Sequence, residues 1–224
     1  MGLEASDSGE AAMLLIGQYD SPFVRRVGIA LTLYGMAFEH APWSTFGEAD
    51  KIAKYNPLRR VPTLVMDDGA VFMDSASILM VLDDMAGSER AVLARRGEDG
   101  RDSLRIAAMA AGVADKGVSL LYERVLRETA FPLWVDRCRL QISETLDLLE
   151  AERQLRPTPY LFDDSPSHAD VMLTTLWGFI SEALAGEFEW TRWPALGAHA
   201  RLCEAIPAFA AIRQPYKLVR PGES

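Results

Sequence analysis

Only two of the 224 residues are cysteine, Cys138 and Cys203, and they lie far apart. That count excludes a disulfide framework and any cysteine-based metal spacing, and it suits a reducing cytoplasm. Three scattered histidines, His40, His168 and His199, add no metal-binding pattern. Basic residues are also scarce: 23 Lys and Arg stand against 32 Asp and Glu, for a formal charge of −9. A nucleic-acid partner needs a basic face, so none is expected. No apolar run approaches the roughly 20 residues of a membrane span. The opening "MGLEASDSGEAA" has neither a basic region nor an apolar stretch. It is expected not to be a secretory signal and reads as an extension ahead of Met13.

What is present is strong helical and strand patterning in two different mixtures. Residues 13–18 form a short apolar run read as a strand. Residues 22–35 read as a helix with Val24, Val27, Ile29, Ala30, Leu31 and Leu33 on its apolar side and Gly35 near its end. "AFEHAPW" reads as a second strand. "GEADKIAKYN" reads as a short helix stopped by Pro57. "PTLVM" and "AVFM" flank "DDG", a hairpin signal. "SASILMVLDDMAG" reads as a helix capped by Ser75 and closed by Gly87.

The charged connector "GSERAVLARRGEDGRD" follows, and beyond it no strand is expected. Residues 101–127, 131–155, 168–185, 195–205 and 207–213 read as helices. In the second of these, Val135, Cys138, Ile142, Leu146 and Leu149 recur at three, four, four and three. The expected division is an α/β domain at 13–87, in the order β-α-β-α-β-β-α, and an all-helical domain at 98–216.

One hydroxyl stands in an odd place. In "YDSPFVRRVGIAL" Ser21 sits at the joint between the first strand and the first helix, and Pro22 follows it. Serine is a good helix N-cap. A serine at a helix N-terminus also suits an anion, since backbone N–H groups and the helix dipole converge there. From these residues alone both readings stay open.

Four stretches together resemble the cytosolic glutathione transferases, from Met13 to about Tyr216. They are "SPFVRRVGIAL", "NPLRRVPTL", "DSASIL" and the Ser-x-x-Asp box "SHAD" at 167–170. The first is similar to the serine-type members, especially the bacterial and tau-like ones. Arg59 stands where many relatives have glycine, and Asp74 where many have glutamate.

The resemblance implies a thioredoxin-like first domain and an all-helical second domain. It implies a cytoplasmic homodimer that uses glutathione as co-substrate, with no other cofactor and no metal. The expected reaction transfers the glutathione thiolate to a small hydrophobic electrophile. Ser21 would stabilise the thiolate, with Tyr19 as competitor because other classes use a tyrosine near the end of this strand. Neither cysteine falls near the first helix, which disfavours the cysteine-type classes.

Val61 would pair with the tripeptide backbone, its bond to Pro62 being cis. Ser75 would take the γ-glutamyl carboxylate, Asp74 the α-ammonium and Arg60 the glycyl carboxylate, while Arg59 would face solvent. Phe23, Tyr122 and Trp134 would line the electrophile pocket. Ser167 and Asp170 would form a structural capping box. Two rival activities remain: a glutathione-dependent isomerase of the zeta type, whose extra Ser-Cys "YDSPF" lacks, and a non-catalytic binding protein of the stringent-starvation type.

Overall fold

The computed structural model describes residues 13–217; the extension at 1–12 lies outside the described residues. The chain begins with β1 (Met13–Ile16), α1 (Pro22–Leu33), β2 (Phe38–Ala41), α2 (Ala49–Ala53), β3 (Thr63–Val65), β4 (Val71–Met73) and α3 (Ser75–Arg90). Its sheet has the order β2-β1-β3-β4. β2 runs parallel to β1, while β3 is antiparallel to both β1 and β4. Leu15 pairs with both His40 and Leu64 in the centre of the sheet. This is the order expected of a thioredoxin-like half.

The remaining elements are helical: α4 (Gly97–Val125), α5 (Pro132–Gln154), α6 (His168–Ala183), a 3-10 turn at Trp190–Arg192, α7 (Pro194–Glu204) and α8 (Pro207–Ala211). Val135, Cys138, Ile142, Leu146 and Leu149 of α5 are all buried, as their spacing predicts. Among the described residues no helix is long and apolar enough to cross a membrane.

Gly87 breaks the helical path of α3 at φ 69° and ψ 169°, as its place in the sequence predicts, and a further helical turn runs on to Arg90. Asp74, not Ser75, caps α3: its carboxylate accepts from the Ser77 N–H and hydroxyl, both at 3.2 Å. Ser75 is instead the first helical residue, buried at the helix start. Both residue types cap well, and only the left-handed φ of 70° at Asp74 decides between them.

Two apolar cores form. One fills the helical bundle of α4 to α7. The other lies between the sheet, α1 and α3, and it takes in Val171, Cys203, Phe209 and Ile212 from the C-terminal helices. Arg25 joins the two regions from within α1. Buried, it meets Glu204 through both guanidinium arms at 2.8 and 2.7 Å and donates to the carbonyls of Phe209 and Ile212. Bidentate pairing of this kind offsets the cost of burying a charge. A second junction places His168 Nε2 2.9 Å from both Asp83 oxygens, with the Tyr34 hydroxyl donating to the same carboxylate.

The capping box at Ser167 and Asp170 is present in full. Burial by itself raises the Asp170 carboxyl, but hydrogen bonds from His199, Ser167 and the Leu161 N–H overcome that cost and hold it below the ordinary range. Asp170, His199 and Cys203 bring three ligand-type atoms within 4.8 Å of one another. The Asp170 oxygens there already accept from Ser167, Leu161 and His199. The Asp170 oxygens are thus engaged within the core, while His199 Nδ1 is buried there without a hydrogen-bond partner among the described residues.

Candidate functional site

The turn after β1 is drawn tightly against α1. Gly17 takes φ 127°, and a Cβ there would meet Val24 Cγ2 at 2.5 Å and Val61 Cβ at 2.7 Å. Only glycine serves both needs at this point. The close approach brings the start of α1 beside residue 61. A cavity of ≈ 440 Å³ opens there.

Ser21 lines that cavity and caps α1. Its Oγ accepts from the Val24 N–H at a long 3.4 Å. Among the described residues the Ser21 hydroxyl donates to nothing, so its hydrogen is free to face the cavity. Pro22 occupies the first helical position, where its missing N–H is no loss. Tyr19 goes elsewhere. Its ring stacks on His40 with centroids 3.8 Å apart and lies against Gly28 of α1. It is absent from the cavity lining.

Val61 and Arg60 line the same cavity, and the Val61–Pro62 bond is cis. Among the described residues the Val61 backbone has no hydrogen-bond partner. Asn56, the first residue of the "NPLRRVPTL" stretch, holds this segment in place. Fully buried, it donates to the Arg60 carbonyl and Thr63 Oγ1 at 3.0 Å and accepts from the Leu58 N–H at 3.0 Å. The Asn-Pro pair at 56–57, just beyond α2, is its only signal in the sequence. Arg59 adopts φ 53°, pairs with Asp50 at 2.5 Å, and also lines the cavity while half-exposed.

Asp74 and Ser75 lie outside this lining, at the start of α3. Beneath them lies Arg26, a buried cation that the sequence reading did not single out. Its Nη1 reaches Ser75 Oγ at 3.4 Å and Met172 Sδ at 3.3 Å. Burial pulls its guanidinium down to about 10 while Asp74 pulls the other way, so it stays charged at neutral pH. A helix N-terminus backed by this cation favours a bound carboxylate.

The rest of the cavity mixes aromatic and aliphatic walls with polar ones. Phe23 and Tyr122 line it, with Phe46, Leu121, Phe179 and Tyr216 among the others. Trp134 does not: it lines a separate depression with Phe131 and Leu133, and Lys116 lies over its ring. Two carboxylates that the sequence did not flag also line the cavity. Burial raises Asp20, an effect partly offset by the backbone N–H groups of Ser21 and Lys217. Burial likewise raises Asp115, partly offset by Arg60 and Lys116, with Asp74 adding to the rise.

Comparison with known proteins gives a consistent family. Residues 15–90 match the model for the glutathione S-transferase N-terminal domain, and residues 132–202 match the model for its C-terminal domain. A GST-like protein of Escherichia coli K12, YibF, described as uncharacterized, is 33% identical over 173 residues, 73% of this chain and 77% of that one. A glutathione S-transferase of Methylobacterium radiotolerans, solved in complex with glutathione sulfonate, superposes with a TM-score of 0.84 at 25% identity, covering 93% of this chain and 98% of that one. A glutathione transferase family member from Pseudomonas fluorescens Pf-5, solved with bound glutathione, gives a TM-score of 0.77 at 27% identity, covering 92% and 100%.

Proposed function

The chain belongs to the cytosolic glutathione S-transferase superfamily, and from that premise we propose that it conjugates glutathione to hydrophobic electrophiles by a serine-type mechanism. The observation that carries this reading is the free Ser21 hydroxyl, at the start of α1, facing a cavity with aromatic walls.

An unperturbed thiol of pKa ~8.5 is only a few per cent ionised at neutral pH. Lowering that value by ~2 units requires about 2.7 kcal/mol of preference for the thiolate. A helix N-terminus supplies ~0.3–1 kcal/mol. A hydrogen bond to a charged acceptor supplies ~1.5–3 kcal/mol. Neither effect reaches the target comfortably, and the two together do. With glutathione bound, the Ser21 O–H donates to sulfur while the N–H groups of α1 supply the dipole.

The other contacts follow the shape of the tripeptide. The unpaired Val61 backbone suits its peptide. Ser75, backed by Arg26, suits the γ-glutamyl carboxylate, Asp74 the ammonium, and Arg60 the glycyl carboxylate. The two solved relatives named above carry glutathione or its sulfonate. The apolar half of the cavity would then receive the electrophile, with Phe23 and Tyr122 in its wall. A cytoplasmic homodimer with no further cofactor completes the proposal.

Calorimetric titration with glutathione, followed by assays with benzyl halides, enones, epoxides and peroxides, tests it. Binding and turnover support conjugation. Binding without turnover of any electrophile removes conjugation, and no binding at millimolar glutathione supports the non-catalytic rival instead.

A further inference from the structure

Helices α6 and α7 pack together, and each sets two residues one turn apart: Asp170 and Thr174 on α6, His199 and Cys203 on α7. All four are buried. His199 Nε2 lies 3.2 Å from Asp170 Oδ1 and 3.6 Å from Cys203 Sγ, and the three ligand-type atoms all fall within 4.8 Å of one another. Both contacts use the same ring nitrogen. That rules out a nucleophile relay, which needs the carboxylate on one nitrogen and the thiol on the other. It also leaves the hydrogen bonding in conflict. If Nε2 carries the proton, it serves Asp170 and has no lone pair for the thiol. If Nε2 is bare, it accepts from the thiol and sets its lone pair against a carboxylate oxygen. Among the described residues His199 Nδ1 and the oxygen of Thr174, which lies beside Cys203, are buried without a hydrogen-bond partner as well.

We propose that Asp170, His199 and Cys203 hold a zinc ion that pins α7 to α6. It is a structural ion, outside the cavity and outside the reaction. One cation satisfies nitrogen, sulfur and oxygen together, where one proton cannot. Zinc accepts this mixed set, at ~2.3 Å from sulfur and ~2.0–2.2 Å from nitrogen and oxygen. Tetrahedral ligands at those lengths stand about 3.3 Å apart for nitrogen and oxygen and about 3.6 Å for nitrogen and sulfur. The observed 3.2 and 3.6 Å match both edges. Calcium and magnesium call for oxygen ligands and do not suit sulfur or imidazole.

The charges balance. Zinc(II) with the Asp170 carboxylate and a Cys203 thiolate leaves the buried site neutral. Sulfur bonds to zinc as its proton leaves for solvent, and the imidazole proton rests on Nδ1. Asp170 keeps its other supports: Oδ2 accepts from the Ser167 N–H and hydroxyl at 2.7 and 2.6 Å, and Oδ1 from the Leu161 N–H at 2.9 Å. Such outer hydrogen bonds orient a metal ligand. Next to Cys203, Glu204 clamps Arg25, so an ion here stiffens the scaffold behind α1. No sequence spacing shows the set, because its members come from two helices.

With its ligands buried, the ion enters as the chain folds. The test is therefore equilibrium urea unfolding of the untagged full chain, with zinc or with a chelator. Zinc should raise the parent's midpoint by roughly 1 M at about a hundredfold excess over its dissociation constant. Cys138→Ser should keep that shift, and Cys203→Ser and His199→Gln should lose most of it. Refolding with cobalt(II) gives a second readout: the visible bands of a tetrahedral ion and a thiolate-to-cobalt band in the near ultraviolet, at one ion per chain. The thiolate band should persist in Cys138→Ser and vanish in Cys203→Ser. Should Cys203→Ser fail to fold, the band in Cys138→Ser still assigns the thiolate, since Cys203 is then the sole thiol. No midpoint shift in the parent, a cobalt spectrum without the thiolate band, or a band lost in Cys138→Ser would overturn the site.

Discussion

The Tyr19 ring lies flat on the His40 imidazole, centroids 3.8 Å apart and planes 8° from parallel, while Ser21 two residues later faces the cavity. His40 is itself fixed, with Nε2 2.7 Å from the Gly17 carbonyl. Burial raises the Tyr19 phenol. The two candidate hydroxyls therefore diverge within one turn of chain.

Ser21→Ala should remove one hydrogen bond to the bound thiolate and leave the helix dipole. The bound thiol's pKa should rise by roughly one to two units, from ~1.5–3 kcal/mol at 1.36 kcal/mol per unit. The rate at pH 7 should drop by about one to two orders of magnitude. It should partly recover at pH 9, where the thiol ionises unaided. Tyr19→Phe should leave the pH–rate profile in place. A profile shifted in Tyr19→Phe and not in Ser21→Ala would reverse the assignment.

Asn56→Ala should uncouple the segment that carries Arg60 and Val61. It strands the Leu58 N–H and removes both donors to Arg60 and Thr63, at a cost of about 2–3 kcal/mol in urea unfolding. If this loop grips glutathione, KM for glutathione should rise more than kcat falls. A loss of stability with KM unchanged would confine Asn56 to a folding role.

Asp170→Asn probes the buried capping box. The folded-state carboxyl is depressed, so its contribution is fully present above the unfolded value near 4 and is lost as pH falls through the folded value. Asparagine keeps the shape but loses the charge and the paired acceptors. The variant should be less stable by about 2–4 kcal/mol at pH 7, and the gap should narrow below about pH 4. Urea midpoints across that range measure it. A gap independent of pH would show that charge is irrelevant there.

Neither cysteine should react or matter for turnover. Burial pushes the Cys203 thiol up to about 12 and raises Cys138, and both side chains are fully buried. A thiol reagent at neutral pH should label the native protein far more slowly than the unfolded one. Replacing both by alanine should cost stability but preserve activity per folded molecule. Loss of turnover with glutathione binding intact would refute a serine-type mechanism.

The sequence alone determined the order of elements and the place of Ser21. Apolar spacing is a local property: the period seen in Val135 to Leu149 sets a helix and its buried face whatever packs against it. Proline after Ser21 and the Val-Pro pair at 61–62 likewise act through neighbouring torsions. Side-chain destinations were another matter. Arg25 and Arg26 are adjacent and alike in sequence, yet one is clamped by Glu204 and the other lies under Ser75. Burying a charge depends on partners that other elements bring, and Glu204 is far along the chain. Trp134 had the right chemistry for the cavity, but the fold sets it in a separate depression. Asp20, Asp115 and Tyr216 meet around one cavity from three separate parts of the chain. No local pattern encodes that meeting; it exists only once the C-terminal segment has packed back beside α1.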